Sequence, residues 1–390
     1  MPLLNLIIPA LLGLPAHVLG VNLLASHYTG KIYSLSFSNS TGSLTVGPSV
    51  SNAGTLPAWL ALDTTGGVNT VYSVDESWYG SGTLASFTVG ANGALTQTGN
   101  LATKGASVHG TPYASAKFFA TVEYDPSTLT TYALPFRPGG KVLQQFKFNM
   151  TQPGPNPRQN APHPHAAQVD PTGKFLLVPD LGADLVRIFS IDAASGKLTA
   201  CVSGQAEPGN GPRHGAFWAP LASNPTQGLM LYTVNELGNS VTTWSVSYPQ
   251  GKCLALTRKR TQPTYSGGAL AAGSKAAEVH VAGNFLYAAN RADQTFGAQQ
   301  DSLATYKIDA ATGDIAWVEA TNAHAWFPRT FQVNKAGDLV AVGGQTSSNV
   351  AIIRRNPQTG KLGDLVASVQ VATPGREQQE DGLSAVIWVE

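Results

Sequence analysis

Charge is scarce in this chain. Of 390 residues only 12% are Asp, Glu, Lys or Arg, and the formal net charge is +1. There is no basic stripe or tail, so a nucleic-acid partner is not expected. Cysteine is nearly absent: Cys201 and Cys253 stand alone, with no CxxC pair and no Cys/His zinc spacing. Beyond the first residues no apolar run is long enough for a membrane-spanning helix. No long segment of 3.6-residue periodicity occurs, which argues against a helical protein. Familiar catalytic phrases are missing too. The chain has no Gly-x-Ser-x-Gly elbow, no HExxH, no Walker-type Gly-Lys-Ser/Thr loop, no GxGxxG and no EF-hand loop.

Turn residues, by contrast, are plentiful: 41 Gly and 25 Pro. A Gly followed two positions later by a strand-type residue recurs at Gly42, Gly93, Gly140, Gly196, Gly251, Gly313 and Gly360, spaced 47 to 62 residues apart. A repeat of roughly 40–50 residues that carries several short strands marks a β-propeller blade. The fourth unit reads as four strands, with Pro171-Thr-Gly and Asp192–Gly196 as turns between them. The first unit begins in mid-phrase at Val21, and the chain ends in a strand-like segment, Gly382–Glu390. An all-β, seven-bladed β-propeller of four-stranded antiparallel blades is therefore expected. Its C-terminal strand should join the N-terminal blade and remove an exposed edge.

Residues 3–16 form an apolar run, too short and too rich in Pro to span a bilayer. It reads as a secretion signal ending near Gly20, although no Lys or Arg precedes it; a buried strand is the alternative. The expected division is residues 1–20 as signal and 21–390 as one propeller domain, secreted and monomeric. The sequons Asn39-Ser40-Thr41 and Asn149-Met150-Thr151 agree with export and with N-glycans at Asn39 and Asn149. Cys201 and Cys253 follow the repeat Gly in neighbouring units; a disulfide and two free thiols are both open.

The repeat also serves as a ruler for the channel. One circle, before or at each first strand, collects Ala58, Tyr113, His165, Arg213, Glu278 and Arg329. A second, after each second strand, collects Asp75 or Glu76, Glu123, Asp180, Glu236, Arg291 and Gln345, with His27 in the truncated unit. Charges gathered at one mouth, in a chain that has few, suit an acid/base site or an anion pocket. His163 and His214 lie beside these circles. His163-Pro164-His165 as a metal pair lacks a third ligand at suitable spacing, so no metal is expected.

The phrases Pro162-His-Pro-His165, Asp170-Pro-Thr-Gly-Lys-Phe-Leu-Leu-Val-Pro-Asp-Leu-Gly-Ala-Asp184, Gly211-Pro-Arg-His214, Val234-Asn-Glu236, Leu286-Tyr-Ala-Ala-Asn-Arg291 and Phe327-Pro-Arg329 resemble those of the seven-bladed propeller lactonases. That family includes 6-phosphogluconolactonase, 3-carboxy-cis,cis-muconate lactonizing enzyme and secreted fungal aldonolactonases. The resemblance is specific in units four to seven and loose in units one to three. In the third unit Val122-Glu-Tyr-Asp-Pro126 replaces the family's usual Asn-Tyr-Gly. The resemblance implies His165, Arg213, Glu236 and Arg291 as catalytic residues, and hydrolysis without metal or other cofactor. His27, Glu123, His163, Asp180, His214, Arg329 and Gln345 are then expected to bind substrate. The expected reaction is opening of a sugar-acid lactone, of the glucono- or cellobiono-lactone type, with Glu236 or His165 as general base. A muconate-lactonizing cycloisomerase and a non-catalytic secreted binding platform are the alternatives.

Overall fold

The computed structural model describes residues 21–390 except 79–81, 222 and 268–269. The expected secretion signal, residues 1–20, lies outside the described residues. Seven antiparallel sheets are arranged blade by blade in chain order. Blade 1 is closed by both ends of the chain: Leu383–Val389 is its innermost strand and pairs with Val21–His27. The expectation of a C-terminal strand completing the first blade is met. Blade 4 departs from four simple strands. Its outer edge is split into Leu198–Ala200 and Gly204–Gln205, both paired to Leu185–Ile191. Cys201 sits in the gap and is joined to Cys253, so one disulfide links the outer edges of blades 4 and 5.

Each strand alternates sides, and each blade buries one side against either neighbour. Seven hydrophobic clusters result, one in each gap between adjacent blades. The repeated Gly has a visible role in this packing. Gly360 takes φ +71, and a Cβ there would come within 2.1 Å of Phe285. Only glycine avoids both costs. Its carbonyl then accepts the Tyr287 hydroxyl of the preceding blade at 2.6 Å. Tyr232 to Gly313 and Tyr113 to Gly196 repeat that clasp, each at 2.7 Å. At these three positions the sequence echo is a joint between blades.

Candidate active site

The inner strand of most blades carries one extra residue near its start. Register skips between Pro57 and Trp59, Ser107 and His109, Pro212 and His214, Ala276 and Val279, and Pro328 and Thr330. A bulge of this kind re-aims a side chain. The extra residues include Ala58, Val108, Arg213 and Arg329. His165 takes the same place in blade 4, where Pro164 bridges Asp180 and the His165 N–H donates to Pro179 O. The residue one step further faces the central channel instead. Trp59, His109, His214, Glu278 and Thr330 line a channel cavity of about 610 Å³.

A second set of side chains comes from the residue just past each second strand. The backbone N–H groups of Tyr28, Glu76, Tyr124, Leu181, Glu236 and Gln345 each donate to the loop before the inner strand of their own blade. Arg291 occupies the equivalent place, paired with Lys275. Five of these seven, Glu76, Tyr124, Glu236, Arg291 and Gln345, line a pocket of about 130 Å³. His165 and Arg329 from the bulges complete its base, and Arg158, Lys275 and Glu380 stand on the same wall.

Glu236 is the electrostatic centre. Arg291 Nη2 lies 2.8 Å and Arg213 Nε 2.9 Å from its Oε2, while Arg158 Nη1 bonds Oε1. Burial alone would raise this carboxyl, but Arg291, Arg158 and Arg213 hold it well below the usual carboxylate range. Arg213 is only 1% exposed; it braces Glu236 from behind and is not on the pocket wall. Burial, then the Arg213 charge and the neighbouring His214, push the His165 imidazole well below its ordinary value and favour its neutral form. Its Nδ1 has no hydrogen-bond partner among the described residues. Arg329 faces Glu76 at 3.6 Å, and Tyr28 donates to the same carboxylate at 2.6 Å. Burial and the nearby Arg291 bring the Lys275 ammonium down to about 8.

Of the expected residues, His165, Glu236, Arg291, Arg329 and Gln345 share this pocket. The others are corrected by geometry. Glu123, Asp180 and His27 fall one residue short of the pocket position, and so they point into turns and hold them. Glu123 accepts hydroxyl bonds from Thr121, Thr128 and Thr130. Asp180 accepts the backbone N–H of His163 and Ala183 and the Arg187 guanidinium. His27 is engaged by Ser348 Oγ and Thr373 O, both at 3.1 Å. His163 stacks on Tyr124 at 4.1 Å and contacts Asn160 Oδ1, bracing Tyr124. His214 and Glu278 belong to the channel. Tyr113 lies at the far end of its strand, and Val108 takes the expected place.

Several wall residues escaped sequence reasoning, Tyr124, Lys275 and Arg158 among them. Tyr124 is the true counterpart of Glu236, one position past Glu123. Lys275 is visible only through its pairing with Arg291. Arg158 comes from the 149–161 loop, which joins the outer strand of blade 3 to blade 4, outside the strands by which the repeats align. Among the described residues no three His, Cys, Asp or Glu side chains converge as metal ligands, and no helix is long and apolar enough to cross a membrane.

Seven sheets in a ring, with a polar pocket fed by inner-strand bulges, define a propeller whose site sits at the mouth of its channel. Comparison with known proteins supplies the family. Residues 22–378 match the model described as "Lactonase, 7-bladed beta-propeller", and the chain belongs to that family. It is 32% identical over 334 residues to the probable 6-phosphogluconolactonase of Arthroderma benhamiae, across 85% of this chain and 81% of that one. It is 27% identical over 226 residues to the 6-phosphogluconolactonase of Bacillus subtilis, across 57% and 59% of the two chains. The solved periplasmic gluconolactonase of Pseudomonas aeruginosa shares the fold, with TM-score 0.77 and 23% identity over 95% of this chain and 99% of that one. By class the protein is therefore a lactone-hydrolysing carboxylic ester hydrolase.

Proposed function

We propose that the protein opens the ring of sugar-acid lactones in this pocket, with His165 as general base and Glu236 as the organiser of its arginines. The substrates are glucono-lactone and related aldonolactones, including those bearing a phosphate or a second sugar. The observation that carries this reading is the contrast between two buried groups. Glu236 has both carboxylate oxygens engaged by three guanidinium partners, which favour its charged form and leave it no free oxygen for water. His165 is unprotonated, unpartnered at Nδ1 and on the pocket wall.

Water attacks the lactone carbonyl carbon as His165 removes its proton. The carbonyl electrons move to oxygen, and the oxyanion forms beside Arg291 and Arg329. Imidazolium and oxyanion arise as a pair, so the low-dielectric site gains no net charge. Collapse of the intermediate breaks the bond to the ring oxygen, and His165 returns its proton to that alkoxide. The free acid then ionises and releases one proton. A positioned base of this kind contributes roughly 10²–10⁴-fold.

A pH-indicator assay on glucono-δ-lactone and its 6-phosphate tests the proposal. His165→Gln should lose roughly 10²–10⁴ in kcat. A variant as fast as wild type removes His165 as base, and no wild-type acceleration on any lactone removes the substrate class. The cationic wall also suits a carboxylated muconate, so ultraviolet loss of carboxymuconate is the competing assay.

We also place the protein outside the cell, as a monomer. The Cys201–Cys253 bond suits an oxidising compartment. Asn39 and Asn149 are both exposed, as glycan acceptors must be. Among the described residues the large exposed apolar side chains are few; Val68, Val202 and Phe296 stand apart in the chain, and Val142 and Leu143 are neighbours. Recovery from culture medium, with a mass that falls on deglycosylation and a monomeric sedimentation profile, is expected; a reduced, unglycosylated protein confined to cells would reject the placement.

A further inference from the structure

Behind the pocket runs a file of buried side chains, two of which, His214 and Glu278, the reaction above leaves unused. Both Glu278 carboxyl oxygens lie 3.0 Å from His214 Nδ1. His214 Nε2 lies 3.3 Å from Arg213 Nη1, and Arg213 Nε lies 2.9 Å from Glu236 Oε2. All four residues are at most 4% exposed. A guanidinium only donates hydrogen bonds. His214 therefore accepts at Nε2 and carries its proton at Nδ1, toward Glu278. The tautomer is set by its two neighbours.

The backbone explains the file. Because of the bulge, Arg213 faces the pocket side and His214, its neighbour, faces the channel. The inner strand of blade 6 then grips Arg213 twice. Ala277 O accepts from Nη1 at 2.8 Å, and the next residue, Glu278, reaches the same guanidinium through His214. Trp59, His109 and His165 pack against the His214 ring at 5.3, 5.2 and 5.2 Å between ring centres. The imidazole has little room to turn.

We propose that His214 and Glu278 are positioning residues of the lactonase site: from the channel side they hold Arg213, and through it Glu236, in the reactive arrangement. This rests on the lactonase reading above. Neither residue lines the substrate pocket; both line the channel cavity of about 610 Å³. Displacement of a catalytic group by about 1 Å can cost on the order of 10²-fold. That is the size of effect expected from cutting the file.

The cavity also provides the test, since it gives small molecules room beside His214. His214→Gly should lower kcat by roughly ten- to a hundredfold with KM nearly unchanged, and added imidazole should restore most of the loss. Glu278→Gln keeps an acceptor for the His214 N–H and should retain most activity, whereas Glu278→Leu should fall as far as His214→Gly. Wild-type kcat in a cooperatively melting His214→Gly overturns the proposal. So does a loss that imidazole does not restore, or equal activity in Glu278→Gln and Glu278→Leu. If His214→Gly does not fold, the Glu278 pair decides. A readout independent of turnover separates this proposal from the lactonase reading. The His214 Nδ1–H should give a downfield proton resonance, present in wild type and lost in Glu278→Leu. An enzyme inactive on every lactone that still shows the resonance loses only its assigned reaction; absence of the resonance in wild type overturns the file itself.

Discussion

Arg158 and Glu236 meet across the pocket from two different parts of the ring. The guanidinium comes from the 149–161 loop and the carboxylate from the end of the second strand of blade 5. Arg158 also donates to the Tyr124 hydroxyl at 3.0 Å, so it ties blade 3, the loop and blade 5 together over the site. It is the one guanidinium on Glu236 with substantial exposure, at 40% of its side chain.

That exposure sets its expected role. Water reaches the Arg158 end of the pair, and Arg213 and Arg291 stay on the buried Glu236, so Arg158→Ala should cost only about 1 kcal/mol and melt close to wild type. Arg213 and Arg291 remain to hold Glu236, so kcat should change by less than about threefold. What is lost is a cation at the pocket entrance. KM for a phosphorylated aldonolactone should rise roughly tenfold, about 1.4 kcal/mol, and KM for the neutral lactone much less. Steady-state kinetics on the pair of substrates checks this; an equal change for both would remove Arg158 as an anion contact.

The repeat made the ring, its closure and half of the pocket legible before any coordinates. Gly196, Gly313 and Gly360 are joints between sheets, and that role forces their identity. The site was harder, because blades are aligned by strands and the pocket is built where strands end. Side chains alternate faces, so an offset of one residue exchanges a wall residue for a buried brace. Glu123 for Tyr124, and Glu278 for the bulge position before it, are both errors of one. Glu236 and Arg291 escaped because their phrases, Val-Asn-Glu and Ala-Asn-Arg, carry an Asn that takes the bracing position first. Asn235 and Asn290 hold their turns through Ser240 and Thr264, and the next residue is free to face substrate.

Lys275 gives the pocket a pH dependence on the alkaline side. Burial and Arg291 bring its ammonium to about 8. Below that value it is charged and attracts an anionic lactone; above it the charge is lost. KM for a phosphorylated substrate, corrected for spontaneous hydrolysis, should be flat below pH 7 and should rise above pH ~8, since lysine elsewhere titrates near 10.4. Lys275→Arg keeps its charge and should flatten the rise. An unchanged rise in that variant would assign it to another group.

His109 should make the protein acid-sensitive in a way that one substitution reveals. The ring is stacked on Trp59 at 4.1 Å, and its Nδ1 accepts the Ala167 N–H at 3.3 Å, which a protonated ring cannot do. Burial, then the neighbouring His214 and the Arg213 charge, push its value well below 6.5. The folded ring stays neutral while the unfolded one takes a proton as pH falls through ~6.5. Stability is therefore complete above that pH and falls below it, by up to about 1.4 kcal/mol per pH unit for this one group. His165, His214 and His280 act in the same direction. Glu76, Glu123 and Glu278, raised by burial, bind protons earlier when folded and act oppositely as pH falls toward ~4.5. The total slope mixes these, but the difference between wild type and His109→Gln isolates one imidazole. Chemical unfolding from pH 8 to 5 should give curves that run parallel above pH ~7 and converge below it as wild type loses stability faster. Curves parallel throughout would mean that His109 takes up its proton within the folded channel.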